Sequence, residues 1–95
     1  MPAYLLVEVN YDDLGWTTDY RRDVPGMVAA FGGRYVARSL SPERIEGYGP
    51  DPDTVAILEF PSSEAVRAFL ASPEYQPHLK ARQAGARTRM YLIGD

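Results

Sequence analysis

Three side chains with chemistry of their own fall at helical spacing late in the chain: Tyr75, His78 and Arg82. At i, i+3 and i+7 they share one helix flank. His78 is the only histidine, and its ordinary pKa lies near neutrality. That makes it the candidate catalytic residue, a general base or a hydrogen-bond donor to an acidic substrate. Arg82 would hold a carboxylate or enolate beside it, because a guanidinium forks onto paired oxygens. The plain alternative is an exposed helix histidine, since a general base also needs a pocket.

Two further groups stand in strand-like sequence. Arg38 and Glu59 are expected on one sheet face, where they would either orient a polar ligand or pair with each other across an interface. Glu8 falls under the same choice. Tyr35, with Trp16 and Tyr20, would line an aromatic slot for a planar ligand; ordinary core packing is the alternative. Gly32-Gly33 is a helix stop and not a phosphate loop, because no strand precedes it and no helix follows. Ser62-Ser63 lacks the flanking glycines of a nucleophile elbow.

Composition removes several classes. The chain has 95 residues, a net charge of −3, one histidine and no cysteine. One domain spanning 1–95 is expected. Without cysteine there is no disulfide or thiolate chemistry, and a cytosolic, cytoplasmic home fits. One histidine leaves no histidine-rich metal site within a subunit, so no metal and no cofactor are expected. The basic residues form no phosphate-tracking stripe, which argues against nucleic acid. No apolar run approaches a membrane span, and Met1-Pro2-Ala3 has no signal-peptide character.

The elements that must position these groups read off the pattern. Tyr4–Val9 alternates as a strand, with Leu5, Val7 and Val9 on one face. Thr17 or Thr18 should cap a helix reaching Phe31, whose stripe is Tyr20, Val24, Met27, Val28 and Phe31. Pro25 should kink it. Gly33–Ser39 is a second strand, with Tyr35 and Ala37 on one face and Arg34, Val36 and Arg38 on the other. A short strand extension is expected at Arg44–Gly47. Thr54–Phe60, TVAILEF, is apolar and bounded by turns at both ends, as a central strand should be. Ser62 should cap a helix through Leu70. Ser72 and Pro73 should open another, ending at Gly85. Arg87–Ile93 is the last strand.

Strand, helix, strand, strand, helix, strand predicts an α+β ferredoxin-like βαββαβ fold. Its four-stranded antiparallel sheet would carry the helices on one face. The reverse face would then expose Tyr4, Leu6, Val36, Val55, Ile57, Tyr91 and Ile93 among Glu8, Arg34, Arg38, Glu59 and Arg89. A patch that large calls for a partner, and a second copy is the simplest one. The expectation is a homodimer through the sheet face.

At GGRYVAR (32–38), IEG (45–47), LEFPSSEAVRAF (58–69) and SPEYQP (72–77) the chain resembles a bacterial family known as domain of unknown function 1330, in the dimeric α/β-barrel superfamily. The resemblance covers nearly the whole chain. It implies a ferredoxin-like subunit and a barrel made by two sheets, but no established activity. The wider superfamily holds cofactor-free quinone-forming monooxygenases, muconolactone-isomerase-like and haem-degrading enzymes, and ligand-sensing domains, with pockets between sheet and helices or inside the barrel. Fold alone does not choose among them.

Two functions are carried forward. One is a cofactor-free enzyme acting by proton transfer or oxygenation on a small planar or acidic metabolite. It would use His78 as base, with Tyr35, Arg38, Glu59, Tyr75 and Arg82 around the ligand. The other is a non-catalytic small-molecule-binding or stress-related dimeric module with the same cavity.

Overall fold

The computed structural model describes residues 1–94. In chain order it contains β1 (Ala3–Tyr11), α1 (Thr17–Ala30), β2 (Arg34–Ser39), β3 (Thr54–Phe60), α2 (Ser63–Ala71), α3 (Gln76–Gly85) and β4 (Ala86–Gly94). The strands pair antiparallel in the order β2-β3-β1-β4, with the helices on one face. This is the ferredoxin-like α+β fold. No helix among the described residues is long and apolar enough to cross a membrane.

Alternation builds the central strands. Leu5, Val7 and Val9 on β1 and Ala56, Leu58 and Phe60 on β3 are buried, while their neighbours are half-exposed. From the helices, Val24, Val28, Val66 and Phe69 close onto that face. Each large apolar side chain buried this way contributes about 1.5–3 kcal/mol. Phe69 joins the layers, with its ring centroid 4.5 Å from Tyr75 and 5.7 Å from Phe60.

The helix ends have local causes. Ser62 caps α2, its hydroxyl oxygen accepting the Ala65 amide at 3.1 Å. Gly32, at φ +79°, takes the left-handed turn that stops α1. At the other end of α1 the cap position is Trp16, and the Thr17 hydroxyl donates to the Leu14 carbonyl at 2.7 Å instead of capping.

Several expectations are corrected. The barrel is absent: the sheet is open, with β2 and β4 as its two edges. The expected barrel drew its strands from two such sheets; this sheet of four stays open, since small closed barrels use about eight. Arg44–Gly47 is not a strand. Arg44 instead bonds Asp51 through Nε at 2.9 Å, tying the β2–β3 loop to itself. Pro73 does not open a helix. Ser72 closes α2, its hydroxyl donating to the Phe69 carbonyl at 2.8 Å, and α3 starts at Gln76 with Pro77 in its first turn. Pro77 lacks only an amide that would be unpaired there anyway.

The most consequential correction is in β2. Tyr35 lies opposite Leu58, but Ala37 lies opposite Ile57 and Arg38 opposite Ala56. One extra residue is accommodated between Tyr35 and Ala37 as a bulge. A bulge inverts the facing of everything beyond it. Arg38 therefore shares the helix side with Tyr35, and Ala37 joins the outer side.

Candidate functional site

Between the inner sheet face and the helices lies a cavity of about 420 Å³. Its floor is apolar and buried, formed by residues such as Leu5, Leu58, Val24, Val28 and Phe69. Its mouth is marked by lining residues that are exposed: Leu14, Arg21, Arg38 and Leu40. A shallower cleft runs on between Pro25 and residues 35–38 of β2. The volume falls in the range of small-molecule sites, roughly 300–1,000 Å³.

A polar chain runs along the cavity wall. Tyr75 precedes α3 and Arg82 follows two turns later, so both face inward. Tyr75 is 0% exposed and Arg82 only 6%. The Tyr75 hydroxyl lies 2.6 Å from the Tyr20 hydroxyl, and Arg82 Nε donates to Tyr75 at 3.4 Å. No carboxylate among the described residues pairs with Arg82. A buried cation without a counter-charge is costly, which favours an anionic or strongly dipolar visitor. Burial, reinforced by Tyr75, pushes the Tyr20 phenol far above its ordinary pKa. Tyr35 is raised too, by burial first and Tyr75 second, while Arg38 pulls it back. Both phenols are therefore neutral donors at physiological pH.

Trp16 completes the aromatic side. Its ring lies 5.3 Å from Tyr20, edge to face, and 6.0 Å from Tyr11. Its Nε1 is buried without a partner. The indole edge rests on Gly85, where a Cβ would come within 2.3 Å of Cδ1. Gly85 is what allows the indole edge to come this close to the end of α3.

The structure thus brings Tyr35, Arg38, Tyr75 and Arg82 to one cavity, with Trp16 and Tyr20. It does not bring His78 or Glu59. His78 is outside the lining: its Nε2 is 3.5 Å from Asp23 Oδ2 and its ring meets Tyr20 edge-on at 6.0 Å. A neighbouring Arg22, by hydrogen bond, holds the Asp23 carboxyl below its ordinary pKa. Glu59 is on the outer face, accepting from Arg34 Nε at 2.8 Å and from the Tyr4 hydroxyl at 3.1 Å. Arg38, expected as its partner, is on the other side of the sheet. Glu8 likewise pairs across strands with Arg89, at 3.5 Å.

Arg21, Leu14 and Leu40 escaped the sequence reading. Arg21 carried a usable signal: Thr17, Arg21 and Pro25 follow at i, i+4 and i+8 beside the apolar stripe, and Arg21 Nη2 donates to Thr17 Oγ1 at 3.1 Å. Among the described residues no group of three potential ligands could hold a metal ion.

Solved structures share this architecture. A protein of unknown function from Rhodopseudomonas palustris superposes with a TM-score of 0.84 at 23% identity, over 99% of this chain and 82% of that one. SnoaB, a cofactor-independent oxygenase from Streptomyces nogalater, gives 0.65 at 21% identity, over 99% and 92%. An uncharacterized NIPSNAP-like domain protein from Burkholderia xenovorans gives 0.63 at 14%, over 99% and 84%. At these identities the likeness shows the fold. No curated protein matches the chain. The profile of the family described as a domain of unknown function (DUF1330) matches residues 2–95, and the chain belongs to that family.

Proposed function

We propose that this protein binds a small planar molecule in the cavity, with an ionised or ionisable oxygen of that molecule against Arg82. One observation carries the reading: a buried guanidinium faces a largely apolar cavity, and no carboxylate among the described residues pairs with it. At about 4 Å and an effective dielectric of about 20, a unit anion gains roughly 4 kcal/mol of Coulomb energy, less the cost of shedding its water. The aromatic wall of Trp16, Tyr20 and Tyr35 suits a flat ring system, and the Tyr20–Tyr75 hydroxyl pair, with one proton between them, has one left to donate to the same oxygen. Quenching of Trp16, the only tryptophan, by added naphthol measures binding. Saturable quenching in the wild type, lost in Arg82→Met, supports the site. Equal binding by both proteins removes it.

Cofactor-independent oxygenation is the catalytic form of the same reading, and the shared fold with SnoaB favours it. An ionised phenol bound at Arg82 would be the reductant and dioxygen the oxidant: a ring carbon bearing hydrogen bonds one oxygen atom, the O–O bond breaks as that hydrogen is lost, and quinone and water result. His78 is outside the lining and meets Tyr20 only ring edge to ring, so it would have no contact with the ligand. Dioxygen uptake in chelator-treated buffer, abolished by Arg82→Met, is the test.

We further propose that two copies associate through the outer sheet face. Val36, Tyr91 and Ile93 are 47%, 46% and 54% exposed there, beside half-buried Leu6, Val55 and Ile57.

A further inference from the structure

The chain's arginines divide in an informative way. Arg22, Arg34, Arg44, Arg87 and Arg89 each have a carboxylate partner among the described residues; Arg21, Arg38, Arg67 and Arg82 have none. Three of those four line the same cavity. In a protein of net charge −3, that concentration runs against the overall balance. Asp53 is the one carboxylate in the lining, and its Oδ2 already accepts the Tyr11 amide at 3.0 Å.

The three arginines sit at two depths. Arg82 is buried in the inner wall. Arg21 on α1 and Arg38 on β2 are exposed and flank the opening. Arg38 is there only because the bulge after Tyr35 turns it to the helix side. Between the two levels the wall is apolar and aromatic.

From this spacing of charge we infer that the ligand is a planar aromatic acid with two polar ends. Its ionisable hydroxyl enters first and meets Arg82, and a carboxylate stays at the mouth between Arg21 and Arg38. The inference rests on the cavity being the binding site and adds the substrate class and its orientation. The mouth arginines act as a selector: they hold a carboxylate that remains partly hydrated, and they steer anions inward. A neutral flat ring would fit the slot but forgo both contacts.

Three probes test this by Trp16 quenching: naphthalene, naphthol and a hydroxynaphthoate with its two groups on opposite ends of the ring. At low salt the order of affinity should be hydroxynaphthoate, then naphthol, then naphthalene, with about tenfold between the first two. Arg21→Gln and Arg38→Gln, both exposed positions, should each weaken hydroxynaphthoate about two- to fivefold, the scale of exposed ion pairs. Each should weaken naphthol less than it weakens hydroxynaphthoate, since naphthol leaves no carboxylate at the mouth. The hydroxynaphthoate advantage should shrink in about 1 M salt, where the screening length is near 3 Å. Equal affinity for hydroxynaphthoate and naphthol, or mouth variants that weaken both alike, overturns the orientation and leaves the cavity reading standing. Failure of all three probes to quench removes both.

Discussion

On the proposed reading, binding turns on Arg82. Arg82→Met should fold, because a long apolar side chain replaces a buried cation that has no ion-pair partner among the described residues. It should lose at least tenfold in affinity for a phenolate-bearing ligand, read by titration, while its thermal midpoint stays level or rises. A variant that unfolds would show that the guanidinium is structural. Tyr20 and Tyr35 make a separate prediction about pH. Their folded pKa values are raised, so their contribution to stability is complete below about pH 10, the unfolded value, and declines as pH climbs beyond it. Tyr20→Phe should lower stability by about 1 kcal/mol near neutrality, through the lost bond to Tyr75. It should also flatten the alkaline decline seen in denaturant titrations. Tyr75 and Arg82 were within reach of sequence reasoning, because residues at i and i+7 share a helix side and Tyr75 stands at the cap of α3.

At the scale of elements, the contact between α3 and the loop before α1 is the most sensitive to a single methyl group. Gly85→Ala puts a carbon where the Trp16 ring lies. The indole must then tilt toward the cavity. We expect a loss of about 1–3 kcal/mol from overpacking, a shift in tryptophan emission and weaker binding of planar probes. An unchanged emission spectrum would mean the end of α3 yields instead of the ring. Ser62→Ala should cost about 1 kcal/mol through the loss of its bond to Ala65, with no effect on binding. The bulge in β2 shows where pattern reading stops. Strict alternation puts Arg38 beside Glu59, yet one added residue carries it to the opposite face. Nothing in RYVAR marks that insertion, because Val36 and Ala37 suit either facing equally.

For the whole molecule, the open sheet leaves two surfaces with different roles. The inner face is roofed by helices and holds the cavity. The outer face carries apolar side chains next to three intrachain ion pairs, Arg34–Glu59, Arg89–Glu8 and Arg87–Asp12. If two copies meet there, light scattering at micromolar concentration should give twice the chain mass, and Ile93→Glu should restore the single mass without altering probe binding. A monomeric wild type would remove the association and leave the cavity untouched, since every lining residue discussed above comes from one chain.

Order of elements, central strand and the helix-facing core of β1 and β3 were legible in the amino-acid sequence, because each follows from periodicity and from turn residues acting over a few positions; on β2, Ala37 was expected to share a face with Tyr35 and lies on the other. Thr54–Phe60 was bounded correctly at both ends by its flanking Pro and Ser residues. The cavity was not legible. It depends on how far α1 stands from β2, on a bulge, and on Gly85 admitting an indole, all of them contacts between residues distant along the chain. The same holds for charge: composition records how many arginines there are, whereas only packing in three dimensions determines which of them are left without a carboxylate.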